Sequence, residues 1–195
     1  MNSNNMALAA IPLLMVTTSI LMISRKWRLM MICLALQYIA MFLLTDLVWT
    51  FGMAAVKLVV GWMATAVLAT SLSDSGVLDI EDRTVSGGML RFSAAILIWM
   101  VSFSFAPQLK VWIPAGDLLL YGGCILCGMG LLQLGTTKHP LWVIIGLLTF
   151  FSGFEILYAA VETSLLVTGL LAITNLGLAL LGAFFMSSQS IGETE

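Results

Sequence analysis

Two charged residues interrupt stretches of this sequence that are otherwise apolar. Lys57 lies in the run AAVKLVVGWMATA, and Glu155 lies in the run FFSGFEILYAA. An ionised side chain at the centre of a membrane helix costs about 2.5–3.5 kcal/mol on insertion scales, so neither residue is expected to stand there alone. A partner of opposite charge, a water-lined cavity or a neutral protonation state would offset that cost. These residues are the first candidates for chemistry in the chain.

Lys57 and Glu155 are predicted to lie at the same depth. Each is seven residues from the outer end of its apolar run, at Thr50 and Glu162, which is about 10 Å of helix. The shared depth allows a buried ion pair. As a functional site, the pair would be one binding site along a pathway for protons or ions. As a structural feature, it would join two parts of the bundle or contact a neighbouring subunit. In a third interpretation, Lys57 has no partner and its long side chain extends to the membrane–water interface.

Other polar residues in apolar runs are uncharged. Gln37 and Asn175 are interpreted as packing contacts, because an interhelical hydrogen bond contributes about 0.6–2 kcal/mol in a membrane. Cys124 and Cys127 have a C-x-x-C spacing but lie in an apolar run, and His139 is the only histidine. The sequence contains no catalytic triad, phosphate loop or metal-ligand cluster, so no cofactor or metal is predicted. We expect no catalysis by the chain alone.

The overall composition indicates a membrane protein. Of 195 residues, 61% are hydrophobic and 9% are charged, with a mean hydropathy of +1.07. A soluble domain is about 25% charged and needs that polar exterior. The net charge of −2, with scattered basic residues, excludes nucleic-acid binding through a basic face. The lipid bilayer is the expected partner.

The elements that position these residues are apolar runs of membrane-spanning length. The fold class is therefore all-α, a polytopic transmembrane helix bundle of about seven spans. The predicted spans are 6–23, 29–47, 50–72, 90–106, 118–134, 141–161 and 164–186. With the N-terminus outside and the C-terminus cytoplasmic, six basic residues lie on the inner side and only Lys110 on the outer side, as the positive-inside rule requires. The inner six are Arg25, Lys26, Arg28, Arg83, Arg91 and Lys138.

The spans suggest an internal repeat. Spans one to three contain the basic turn RKWR, and spans five to seven contain the basic turn TTKHP. The predicted organisation is a three-helix unit at 1–72, an acidic inner loop with a linking fourth helix at 73–116, a second unit at 117–187 and a polar tail at 188–195. Both units would have the same orientation, which makes the repeat parallel. Glycines in spans five and seven are predicted to allow close helix packing.

Two of these stretches resemble a known family. GFEILYAA in span six and AITNLGLALLGAFF in span seven are similar to the K subunit of respiratory complex I (NuoK). In that family, two membrane helices each carry a glutamate used in proton translocation. Glu155 matches the first glutamate, and Ile173 occupies the place of the second. In the first unit, Gln37 falls at the first position and Lys57 at the second, four residues before Gly61.

A doubled chain of this kind resembles the E-type (HyfE-like) membrane subunit of membrane-bound hydrogenase complexes related to complex I. The resemblance implies a non-catalytic membrane-arm subunit of an ion-translocating oxidoreductase, packed beside antiporter-like subunits in a bacterial or archaeal inner membrane. Lys57 and Glu155 would supply charges to a shared hydrophilic axis for protons or sodium ions.

Two other functions fit the same residues. The chain would be a freestanding transporter with parallel repeats if Lys57 and Glu155 bind a substrate or coupling ion. It would instead be an assembly or anchoring subunit of another bioenergetic complex if the acidic segment 74–83 is a docking surface. That segment also fits a solvated connector.

Overall fold

In the computed structural model the chain is an all-α bundle, described for residues 3–24, 26–74, 85–137 and 139–192. Within these ranges there are seven helices and no strand, which confirms the predicted fold class. The helices are α1 Ser3–Ile23, α2 Trp27–Thr45, α3 Phe51–Asp74, α4 Val85–Leu109, α5 Asp117–Thr136, α6 Pro140–Ala159 and α7 Leu165–Gly192.

The helices have the length and composition of membrane spans. Six are long and apolar enough to cross a bilayer, and α1 contributes a shorter apolar segment, Leu8–Ile23. A lipid environment offers no water to backbone N–H and C=O groups, and a helix satisfies these groups within one segment. The chain is therefore an integral membrane protein. Its orientation and the kind of membrane stay predictions.

The helices form two rows of three, with α4 at one end. α1, α2 and α3 pack in sequence order, and so do α5, α6 and α7. The rows face each other, because α1 packs on α5, α2 on α6 and α3 on α7. In α6, 61% of the spanning residues are buried, against 17% in α4. α6 therefore lies in the core of the bundle, and α4 lies at its periphery. Corresponding helices of the two predicted units thus contact each other, while the repeat itself stays a prediction.

Glycines lie in the most extensive helix contact, between α5 and α6. A side chain at Gly130 would meet the Phe150 backbone, and one at Gly153 would meet the Cys127 backbone. The prediction of close packing is confirmed for Gly122, Gly123, Gly128 and Gly130 in α5, and also for Gly182 in α7. It is wrong for Gly169 and Gly177, where an added side chain would meet nothing within 4 Å. The space beside these two positions is open.

Some helix ends differ from the predicted spans. α4 begins at Val85 rather than at residue 90, and it continues through Pro107 to Leu109. Proline removes one backbone hydrogen bond and its ring crowds the carbonyl four residues earlier, and α4 ends two residues after Pro107. α7 continues to Gly192, past the predicted end at 186 and into the predicted polar tail. The acidic segment 74–83 lies, from residue 75 onward, outside the described residues.

Candidate functional site

Lys57 and Glu155 meet in the interior of the bundle. Lys57 Nζ lies 2.7 Å from Glu155 Oε1, and the two residues are 2% and 0% exposed. The helices that carry them, α3 and α6, have no direct backbone contact within the described ranges. α3 contacts α2 and α7, and α6 contacts the same two helices. The Lys57 side chain therefore crosses the diagonal of a four-helix arrangement, and the pair lies at its centre.

Asn175 on α7 makes the second polar contact to one carboxylate oxygen of Glu155. Its Nδ2 donates a hydrogen bond of 3.0 Å to Glu155 Oε1, the same oxygen that accepts from Lys57. The other oxygen, Oε2, is buried and has no hydrogen-bond partner among the described residues, and the same holds for Asn175 Oδ1. Such atoms are uncommon in folded proteins. The cluster formed by Lys57, Glu155 and Asn175 therefore has two buried acceptor oxygens that a further donor would satisfy.

Tyr38 on α2 forms the fourth side of the cluster. Its ring packs on Gly61 so closely that a side chain at that position would overlap it. Its buried hydroxyl lies near Ser152 and Glu155, but makes no hydrogen bond of normal geometry to a described residue. Sequence reasoning missed this residue. The available signal was a tyrosine beside Gln37 within an apolar run.

The geometry of the pair limits what it can do. An ion taken out of water loses several kcal/mol even after the protein relaxes, so neither charge is stable here without the other. The Nζ–Oε1 distance of 2.7 Å lies within the range for direct proton transfer, about 2.6–3.2 Å. Transfer of a proton from Nζ to Oε1 would leave two neutral groups in place. The site can hold a charge pair or pass a proton.

The remaining predicted positions have different surroundings. Asn175 makes the interhelical hydrogen bond proposed for it, whereas Gln37 does not. Gln37 is fully buried, and neither its amide nitrogen nor its oxygen has a partner among the described residues. Ile173 is 70% exposed and faces away from the cluster.

Other titratable groups lie outside this cluster. Lys110 and Asp117 form an ion pair in the connection between α4 and α5, with exposed side chains. Glu162 Oε1 accepts a hydrogen bond from the Ser164 N–H, just before α7. The three cysteines are free thiols. In the part of the chain that the structure describes, no group of three His, Cys, Asp or Glu residues has the arrangement of a metal site.

The chain was also compared with known proteins. No protein-family model, no curated protein sequence and no solved structure matches it. The NuoK-like and HyfE-like resemblance therefore rests on the local motifs alone.

Proposed function

We propose that this chain is a non-catalytic membrane-arm subunit of a complex I-like respiratory or hydrogenase-related assembly. In this role it contributes to proton or sodium translocation and packs beside antiporter-like subunits. The observation that carries the proposal is the buried contact of 2.7 Å between Lys57 Nζ and Glu155 Oε1. Ionisable residues inside membrane helices are costly, and they often belong to ion pathways.

The surroundings of the pair support a role in proton movement. Glu155 Oε2 is a buried acceptor without a hydrogen bond to a described residue, so the carboxylate has one oxygen for Lys57 and one for a second donor. The buried Tyr38 hydroxyl lies near Ser152 and Glu155. A proton that binds Oε2 would neutralise the carboxylate and remove the counter-charge of the Lys57 ammonium. Protonation of Glu155 would therefore change the charge state of the whole pair.

A freestanding ion-coupled transporter is the second candidate. The arrangement of the two rows favours it, because each helix of the first triplet packs on its counterpart in the second. In transporters built from repeats, substrate and ion sites lie near the membrane midplane between the repeats. The Lys57–Glu155 pair likewise lies between the two rows of helices.

The test combines extraction with a matched pair of substitutions. The full chain is extracted from its native membrane in mild detergent, and migration in a large complex is expected for a subunit. Glu155→Gln should then reduce proton or sodium pumping by that complex while assembly is kept. Asp117→Asn is the control, because it makes the same chemical change at an exposed carboxylate. A chain that migrates alone favours the transporter.

A charge exchange separates ion movement from a structural role. In the variant Lys57→Glu/Glu155→Lys, the ion pair is kept and its direction is reversed. Normal pumping by this variant, or by Glu155→Gln, would reject the relay and leave a structural pair. Loss of pumping in an assembled complex supports the relay.

A further inference from the structure

An apolar groove lies between α1 and α4 on the outer surface of the bundle, away from the buried pair. Its volume is about 470 Å³, and its lining includes Val16, Ile20 and Ile23 from α1 and Phe92 and Trp99 from α4. Phe92 and Trp99 are seven residues apart, which is two helical turns, so they lie on the same face of α4. Nearly all of the lining is apolar. The groove therefore suits a hydrocarbon chain better than a polar solute.

The groove extends over about two thirds of the depth of one bilayer leaflet. From Val16 to Ile23 the lining extends about 10 Å along α1. The hydrocarbon region of one leaflet is about 15 Å deep, half of the whole core. The groove therefore runs parallel to the acyl chains of that leaflet and covers most of their depth.

One end of the groove meets the basic turn between α1 and α2. Ser24 and Leu29 line this end, and the exposed residues Lys26 and Arg28 lie between them in the chain. The Arg28 guanidinium carbon (Cζ) lies 5.4 Å from the centroid of the Trp27 ring. Lys26 is the N-cap of α2 and makes no side-chain capping hydrogen bond. An uncapped helix N-terminus presents backbone N–H groups that favour a phosphate.

We infer that this groove is a binding site for an anionic phospholipid, with one acyl chain between α1 and α4 and the headgroup phosphate at the start of α2. The apolar lining and its length suit part of an acyl chain, and the basic end suits the headgroup phosphate. Basic residues at the membrane surface bind anionic headgroups. The inference is independent of the proposed function, since it uses none of the residues around Glu155.

Native mass spectrometry of the full chain tests the charge requirement. The purified chain is mixed with equal amounts of phosphatidylglycerol and phosphatidylcholine in detergent, and preferential retention of phosphatidylglycerol is expected. Each basic residue contributes about fivefold in affinity for an anionic surface, so Lys26→Gln/Arg28→Gln should lower that preference by about 30-fold. Lys110→Gln is the control for one charge, because Lys110 is exposed at the opposite end of α4. Equal retention of both lipids by the unchanged chain would overturn the inference.

A second variant tests the acyl-chain path without changing charge. Val16→Trp places a large ring in the groove, whereas Val59→Trp makes the same change on α3. The two valines are equally exposed, at 54%, and Val59 is not part of the lining. Val16→Trp should release the retained phosphatidylglycerol, and Val59→Trp should not. If both variants retain the same amount of lipid, the lipid is bound at the general surface and the groove assignment fails.

Discussion

Two ion pairs in this protein have the same length and opposite surroundings. Lys57–Glu155 and Lys110–Asp117 both have a nitrogen–oxygen distance of 2.7 Å. The side chains of the first pair are 1% and 0% exposed, and those of the second pair are 54% and 59% exposed. Water and salt screen the exposed pair, whereas the buried charges depend on each other. Distance alone therefore does not set the energy of an ion pair.

The two pairs also differ in what they connect. Lys110 and Asp117 are close in sequence and join the end of α4 to the start of α5. Lys57 and Glu155 are 98 residues apart and join the two rows of helices. Breaking the first affects a short connection that is already constrained by the chain. Breaking the second affects the packing of four helices, so the predicted effects differ in size.

The largest effect is expected for Lys57→Met, which removes the cation and leaves Glu155 buried. Loss of one partner of a buried pair costs about 3–5 kcal/mol. Denaturant unfolding of the chain in detergent micelles, followed by circular dichroism, measures the change in free energy of unfolding. Lys110→Met is the control, since it removes an exposed cation with the same distance to its partner. Equal losses for the two variants would show that burial does not govern the difference.

Much of this contrast could be predicted from sequence. Lys57 and Glu155 stand out because a charge in an apolar run is rare, and their common depth indicates contact. The orientation of each side chain around its helix could not be predicted. A helix that is apolar on all sides carries no amphipathic stripe to show which face is buried. For that reason Tyr38 was missed, and Gly169 was expected at a close helix contact although a side chain there would meet no atom within 4 Å.

The second prediction concerns the double variant Lys57→Met/Glu155→Met. Removing both charges leaves no unpaired ion, and apolar replacements of a buried pair are often neutral or stabilising. We expect the double variant to regain about 2–3 kcal/mol of the stability lost in Lys57→Met, which is the size of coupling between residues in contact. The same unfolding measurement on both single variants completes the cycle. Additive losses, with no recovery in the double variant, would mean that the two residues act independently.

The smallest effect is expected at the exposed pair. Lys110→Ala/Asp117→Ala should change the free energy of unfolding by about 0–1 kcal/mol, because exposed ion pairs gain little over their contacts with water. The change should shrink further between low salt and about 1 M salt, where the screening length falls to about 3 Å. Unfolding at both salt concentrations measures it, with the Lys57→Met/Glu155→Met variant as the buried counterpart. A loss above about 2 kcal/mol that persists in high salt would mean that the Lys110–Asp117 pair stabilises the bundle. In that case exposure would not explain the difference in energy between the two ion pairs.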